Sequence, residues 1–191
     1  MLIDALLVFT ASFSPRVLPH AGAGRASGPT TMGILKGISP LLTAELLYVL
    51  RSAGHCDTIA IVDANFPAMK ISKDTVHQKV VQLGGATSPE AIEAIATHLP
   101  IDTIDNDEGV AVMLPPPGLE LPPLGLEVHA DGIASLASTC GPQCTITTEL
   151  PRDEFYERAR HAYAIIQCGE RRPYGNFLLT VGMLGPDGRE F

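Results

Sequence analysis

The sequence is short of basic residues, of long apolar runs and of cysteine, and each shortage removes a class of function. Thirteen Lys and Arg stand against 21 Asp and Glu, for a formal net charge of -8, and no basic stripe of the kind that follows a phosphate backbone is present. Nucleic acid is therefore not an expected partner. No apolar run approaches the roughly 20 residues that cross a bilayer, so a membrane is not expected either. Four cysteines in 191 residues are too few and too scattered to staple a small secreted domain. Reduced thiols in a cytoplasmic protein are the expectation. Cys140 and Cys144, in "CGPQC", offer two thiolates and His129 a third ligand, a constellation a zinc hydrolase would need. A structural zinc site takes four ligands, no fourth stands at a usual spacing, and no metal is expected.

What remains is an ordinary globular composition, 46% hydrophobic and 18% charged, in a length that suits one domain with a real core. Residues 1–31 differ from the rest. "MLIDALLVFTASF" is apolar, and "SPRVLPHAGAGRASGPTT" is rich in small residues and proline with only basic charges. Asp4 with no preceding Lys or Arg makes a poor signal peptide. We read 1–31 as a poorly ordered or non-native extension and 32–191 as the domain, with Met32 an alternative start.

From Ser39, "SPLLTAELLYVLRSAG" predicts an amphipathic helix capped by the serine, with Pro40 in the first turn and Gly54 at its end. "TIAIVD" predicts a buried strand ending at Asp63. "SPEAIEAIATHLP" predicts a second helix capped by Ser88, and "GVAVML" a second buried strand. "PPPGLELPPLG" is a surface loop, "LEVHADGIASLAS" a helix, "RDEFYERARHAYAIIQCGE" a helix running into a strand, and "YGNFLLTVGML" the closing strand. The alternation predicts an α/β fold with a mainly parallel or mixed sheet flanked by helices.

Chemistry gathers around two stretches. His55 follows the helix-ending Gly54, where an imidazole serves either as an acid near neutral pH or as a cap for the last carbonyls. Asp63 stands at the carboxyl end of a strand, where open α/β sheets place ligand contacts, although an Asp opening a turn is also ordinary turn chemistry. "GERRPYGN" sets Tyr174, Gly175 and Asn176 in one turn, able to hold a polyhydroxylated ligand or to be a turn alone. Tyr156, Arg160 and Tyr163 lie at helical spacings that suit packing and solvated charge. A strand of five or six residues spans roughly 17 to 20 Å, so His55 and Asp63 share a pocket only if the chain bends before the strand or a neighbouring subunit supplies one of them.

Three blocks, "LKGISPLLTAELLYVLRSAGHCDTIAIVDANFPA", "LPIDTI" and "EFYERARHAYAIIQCGERRPYGNFLLTVGML", resemble the fucose mutarotase and ribose pyranase family, more closely its fucose branch. The resemblance spans about residues 34–184. It departs at "VQLGGA", where Gln82 and Gly84 stand in place of an arginine and an aspartate, and after "FPA". It implies a cofactor-free enzyme that interconverts the anomers of a free monosaccharide, L-fucose or the rival D-ribose; a sugar-binding protein without turnover is the other alternative. His55 becomes the proton donor, and Asp63, Arg152, Tyr174, Gly175 and Asn176 the sugar contacts, with Asp63 also catalytic in orienting a hydroxyl or the imidazole and Tyr174 in proton transfer. A homo-oligomeric ring, a decamer built from pentamers with the sugar near a subunit boundary, is implied as well.

Overall fold

The computed structural model describes residues 33–103, 109–121 and 126–189; the extension expected at 1–31 and part of the Pro-rich loop lie outside them. Six strands form one mixed sheet in the order β2-β5-β1-β6-β3-β4. They are β1 (Thr58–Val62), β2 (Val80–Leu83), β3 (Val110–Leu114), β4 (Thr148–Pro151), β5 (Ala164–Cys168) and β6 (Phe177–Thr180). The pairs β1/β5, β2/β5 and β3/β4 are parallel, and β6 runs antiparallel to both β1 and β3. Five carboxyl ends therefore share one edge of the sheet with the amino end of β6.

The helices are α1 (Ala44–Ser52), the short α2 (Ala68–Ile71), α3 (Ser88–Ala96), α4 (Glu127–Cys140) and α5 (Arg152–Arg160). Side chains alternate across β1: Ile59 and Ile61 enter a core with Leu46 and Val49 of α1, Ile92 and Ile95 of α3, and Leu136 of α4. Ala60 and Val62 enter the opposite core with Ile71 of α2 and with Phe155 and Ala159 of α5. Burial on both faces explains the unbroken apolar run that marks this strand in the sequence.

Two expected caps move. The first helix begins at Ala44, with the Thr43 hydroxyl accepting from Leu46 N at 3.2 Å, because Ser39 is used earlier. Its hydroxyl accepts from Leu41 N and its carbonyl from Leu42 N, closing a separate turn around Pro40. The helix ends at Ser52, and Gly54 N donates to the Asp57 carboxylate at 2.7 Å. Thr87, not Ser88, caps α3 in a reciprocal box with Glu90, which leaves the Ser88 hydroxyl for another task.

The cysteines also correct the sequence reading. Cys140 and Cys144 form a disulfide, their Cα atoms 6.2 Å apart. Gly141, at φ +93°, folds the chain back past the end of α4, bringing the pair within bridging range. Cys56 and Cys168 are free. Burial pushes the Cys168 thiol up to about 11, so that side chain behaves as a core residue.

Candidate active site

The carboxyl edge of the sheet assembles most of the expected site. β1 and β6 pair with Ile61 opposite Phe177, so Asp63, just beyond β1, meets Asn176, just before β6. The two buried residues bond reciprocally: Asn176 Nδ2 donates to Asp63 Oδ2 at 2.8 Å, and Asp63 N donates to Asn176 Oδ1 at 2.9 Å. Asp63 Oδ1 accepts from Asn65 N at 2.9 Å, closing the turn that the sequence suggests. Burial raises the Asp63 carboxyl above its ordinary range, opposed by the hydrogen bonds from Asn65 and Asn176 and reinforced by the charge of Glu170.

Tyr174, half-buried, adopts φ +63°, a left-handed conformation that costs a bulky side chain energy and needs support from its surroundings. The support comes from both neighbouring helices. His129 Nε2 of α4 donates to the Tyr174 carbonyl at 2.8 Å, and Ser88 Oγ of α3 donates to the Gly175 carbonyl at 2.7 Å. Burial lowers the His129 pKa, keeping the ring a neutral donor. Gly175 is required sterically, since a Cβ there would lie 2.8 Å from Glu170 Cγ and 3.1 Å from Val128 Cγ2. With His129 engaged by a carbonyl and Cys140 bonded to Cys144, the donors of the zinc reading are committed elsewhere.

Arg152 opens α5 immediately after β4 and is half exposed, 3.5 Å from Asp153. Between it and the Asp63 turn stands a residue that sequence reasoning assigned to packing. The ring of Tyr156 meets Phe66 edge-on at 5.3 Å, and its phenol, raised by burial, feels the charges of Arg152, Asp63 and Tyr174. Helical spacing shows which face Tyr156 occupies, but not that this face borders a strand end. Gln82, at the departure from the family pattern, is tied to the site too. Its amide donates to Gln167 Oε1 at 3.2 Å, and Gln167 Nε2 donates to the carbonyls of Asp63, Ala64 and Phe66.

His55 is not brought to this edge. β1 keeps register with β5 from Ile59 to Val62, and ahead of it Cys56 N donates to the Val181 carbonyl and Val181 N to the Asp57 carbonyl, so residues 55–57 stay at the amino edge and the five-residue strand separates His55 from Asp63 by roughly 17 Å. At the amino edge the imidazole lies 3.4 Å from Cys56 Sγ and 3.9 Å from Asp102 Oδ2, with 36% of its side chain exposed. Of the two routes to a common pocket, the one through a bent chain is closed.

The described residues thus present two separate groups: an exposed imidazole at one edge, and a carboxylate, a carboxamide, two phenols and a guanidinium at the other. Hydroxyl-rich ligands suit the second set, which offers both donors and acceptors. Among the described residues, no group of three or more His, Cys, Asp or Glu is arranged to hold a metal ion, and no helix is long and apolar enough to cross a membrane.

Residues 36–184 match the model of the RbsD / FucU transport protein family. The chain is 36% identical over 157 residues to a fucose mutarotase of Danio rerio, covering 82% of this chain and 98% of that protein. It is 34% identical over 154 residues to a fucose mutarotase of Homo sapiens, covering 80% and 96%. The crystal structure of the fucose mutarotase of Streptococcus pneumoniae in complex with L-fucose superposes with a TM-score of 0.64 at 28% identity, covering 79% of this chain and 100% of that one.

Proposed function

Because the chain belongs to the RbsD / FucU family, we propose that it is an L-fucose mutarotase, an isomerase that interconverts the α and β anomers of the free sugar. The observation that carries this reading is the buried Asp63–Asn176 pair beside the Tyr174–Asn176 turn. It is a polar edge able to hold sugar hydroxyls, in a chain that spans almost the whole length of the fucose mutarotases it matches.

Mutarotation opens and recloses a hemiacetal. The ring oxygen gains a proton as the C1–O5 bond breaks, the anomeric hydroxyl loses one as it becomes a carbonyl, and reclosure on the other face returns both. Nothing is oxidised and no charge persists, so an acid and a base suffice. His55 delivers the proton to the ring oxygen. Asp63, Arg152, Tyr174, Gly175 and Asn176 hold the sugar; Asp63 orients a hydroxyl or the imidazole, and Tyr174 takes part in the proton transfer. Since His55 and Asp63 occupy opposite edges of one sheet, a complete site takes His55 from one subunit and the Asp63 edge from another. That requirement supports a ring of identical subunits, and we assign a cytoplasmic decamer whose catalytic domain is 32–191.

Saturation-transfer proton NMR on L-fucose and D-ribose tests this directly. Catalysed exchange between the L-fucose anomers, exceeding that on D-ribose, is the expected result. Faster exchange on ribose would reassign the substrate, and binding without exchange would leave a sugar-binding protein.

A further inference from the structure

Glu170, the second residue after β5, takes no part in the chemistry above, yet it is 2% exposed and both of its carboxylate oxygens are hydrogen-bonded. Its Oε1 accepts from Arg171 N at 3.0 Å, Arg172 N at 2.9 Å and Arg172 Nε at 3.0 Å. Its Oε2 accepts from Arg172 Nη2 at 2.8 Å and from Ser88 N, at the start of α3, at 3.3 Å. Its backbone carbonyl accepts from Ala64 N at 3.0 Å. One residue therefore grips three segments: the turn after Asp63, the turn leading to Tyr174, and the amino end of α3. Arg172 extends the grip by pairing with Asp131 of α4.

Burying a carboxylate is costly, and a well-packed apolar group is often as stabilising as a buried ion pair. A turn that only needed closing would not call for this arrangement. Burial opposes ionisation of Glu170, but the hydrogen bonds and charge of Arg172 outweigh it and hold the carboxyl below its ordinary range. The side chain is thus a fixed anion under the site. Gly175 lies flat against it, with room for a hydrogen but not for a methyl group.

We propose that Glu170 is the positioning residue of the sugar site, setting the Tyr174–Asn176 turn against the Asp63 turn so that both address one sugar. This rests on the reading that those two turns hold the substrate. The Glu170 carboxylate acts by fixing its own turn, whose backbone carbonyl receives Ala64 N, and it does not touch the sugar.

The test compares Glu170→Gln and Glu170→Asp with wild type in the full-length oligomer. L-fucose exchange is measured over a range of sugar concentrations, with oligomeric mass and thermal midpoint measured in parallel. Glutamine keeps the shape but loses the anion that organises Arg172; aspartate keeps the anion but withdraws it by one methylene. Misplacing a binding group by about 1 Å costs up to roughly 100-fold, so we expect kcat/KM to fall roughly 10- to 100-fold. The loss should lie mainly in KM, with aspartate between glutamine and wild type. Should Glu170→Gln fail to assemble, Glu170→Asp carries the same comparison. A lower thermal midpoint with KM and kcat per assembled site unchanged would overturn the proposal and leave Glu170 a stability element. Absence of L-fucose exchange in wild type would instead sink the mutarotase reading and this proposal with it.

Discussion

Replacing His55 with alanine is expected to slow L-fucose anomer exchange by roughly 100- to 10,000-fold, the usual worth of a positioned general acid, while the protein stays folded. The ring lies outside both cores: its neighbours are Cys56 and Asp102 at the amino edge, and over a third of the side chain is exposed. Truncation opens no cavity among packed side chains, so stability should change by no more than about 0.5 kcal/mol. The loss should fall on kcat, because the sugar hydroxyls are held at the other edge. Added imidazole should restore part of the rate, since a freely diffusing acid can occupy the vacated place. A variant retaining more than about one tenth of wild-type exchange would fall outside the range for general acid catalysis and would move the proton donor elsewhere.

Asn176→Ala is expected to damage binding, proton transfer and stability together. The carboxamide satisfies Asp63 twice, at Oδ2 and at the backbone N–H, and both residues are buried. Removing it strands a carboxylate oxygen and an amide hydrogen with no replacement, a cost of about 1–3 kcal/mol for an unsatisfied buried group. Exchange should fall roughly 100-fold as the sugar loses its alignment. A pH signature accompanies the loss. Burial raises the Asp63 carboxyl and the Asn176 hydrogen bond partly counteracts it; without Asn176 it rises further. If Asp63 works as the anion, the acid limb of the rate profile moves to higher pH. The stability sign follows from the same shift. A carboxyl raised in the folded state contributes stability below its unfolded pKa and loses it as pH rises through the folded pKa, and in the variant that loss extends to higher pH. An unchanged acid limb at reduced rate would assign Asn176 to sugar contact alone.

Much of this arrangement is legible in the residues themselves, and the parts that are not share a physical cause. The central strands β1 and β3 are buried on both faces, so they appear as unbroken apolar runs. The edge strands β2, "VVQL", and β4, "TELP", pair on one side only; with less to bury they carry no such signal. Ser39 and Ser88 satisfy every local requirement of a cap, yet Thr43 and Thr87 fill the positions. The Ser88 hydroxyl is needed by the Gly175 carbonyl 87 residues away, which no local pattern encodes. Asp63 and Asn176 are each ambiguous as turn formers, and only the antiparallel register of β1 with β6 makes them partners. Gln167 and Glu170 join the same edge through the parallel register of β5 with β1, and Tyr156 through the packing of α5 on Phe66. Cys140 and Cys144 are bridged because Gly141 reverses the chain, a conformation that glycine permits without dictating.

If His55 of one subunit acts on a sugar held by the Asp63 edge of another, mixed oligomers recover activity that neither parent has. His55→Ala and Asn176→Ala subunits are dissociated, combined in equal amounts and reassembled, with mixing verified by native mass spectrometry, and L-fucose exchange is measured. Each parent oligomer lacks one half of every site. In a head-to-tail ring, random mixing restores both halves at roughly one quarter of the boundaries, so exchange should recover to roughly a quarter of the wild-type rate. Mixed oligomers no more active than their parents, or a fully active wild-type monomer, would contradict the shared site.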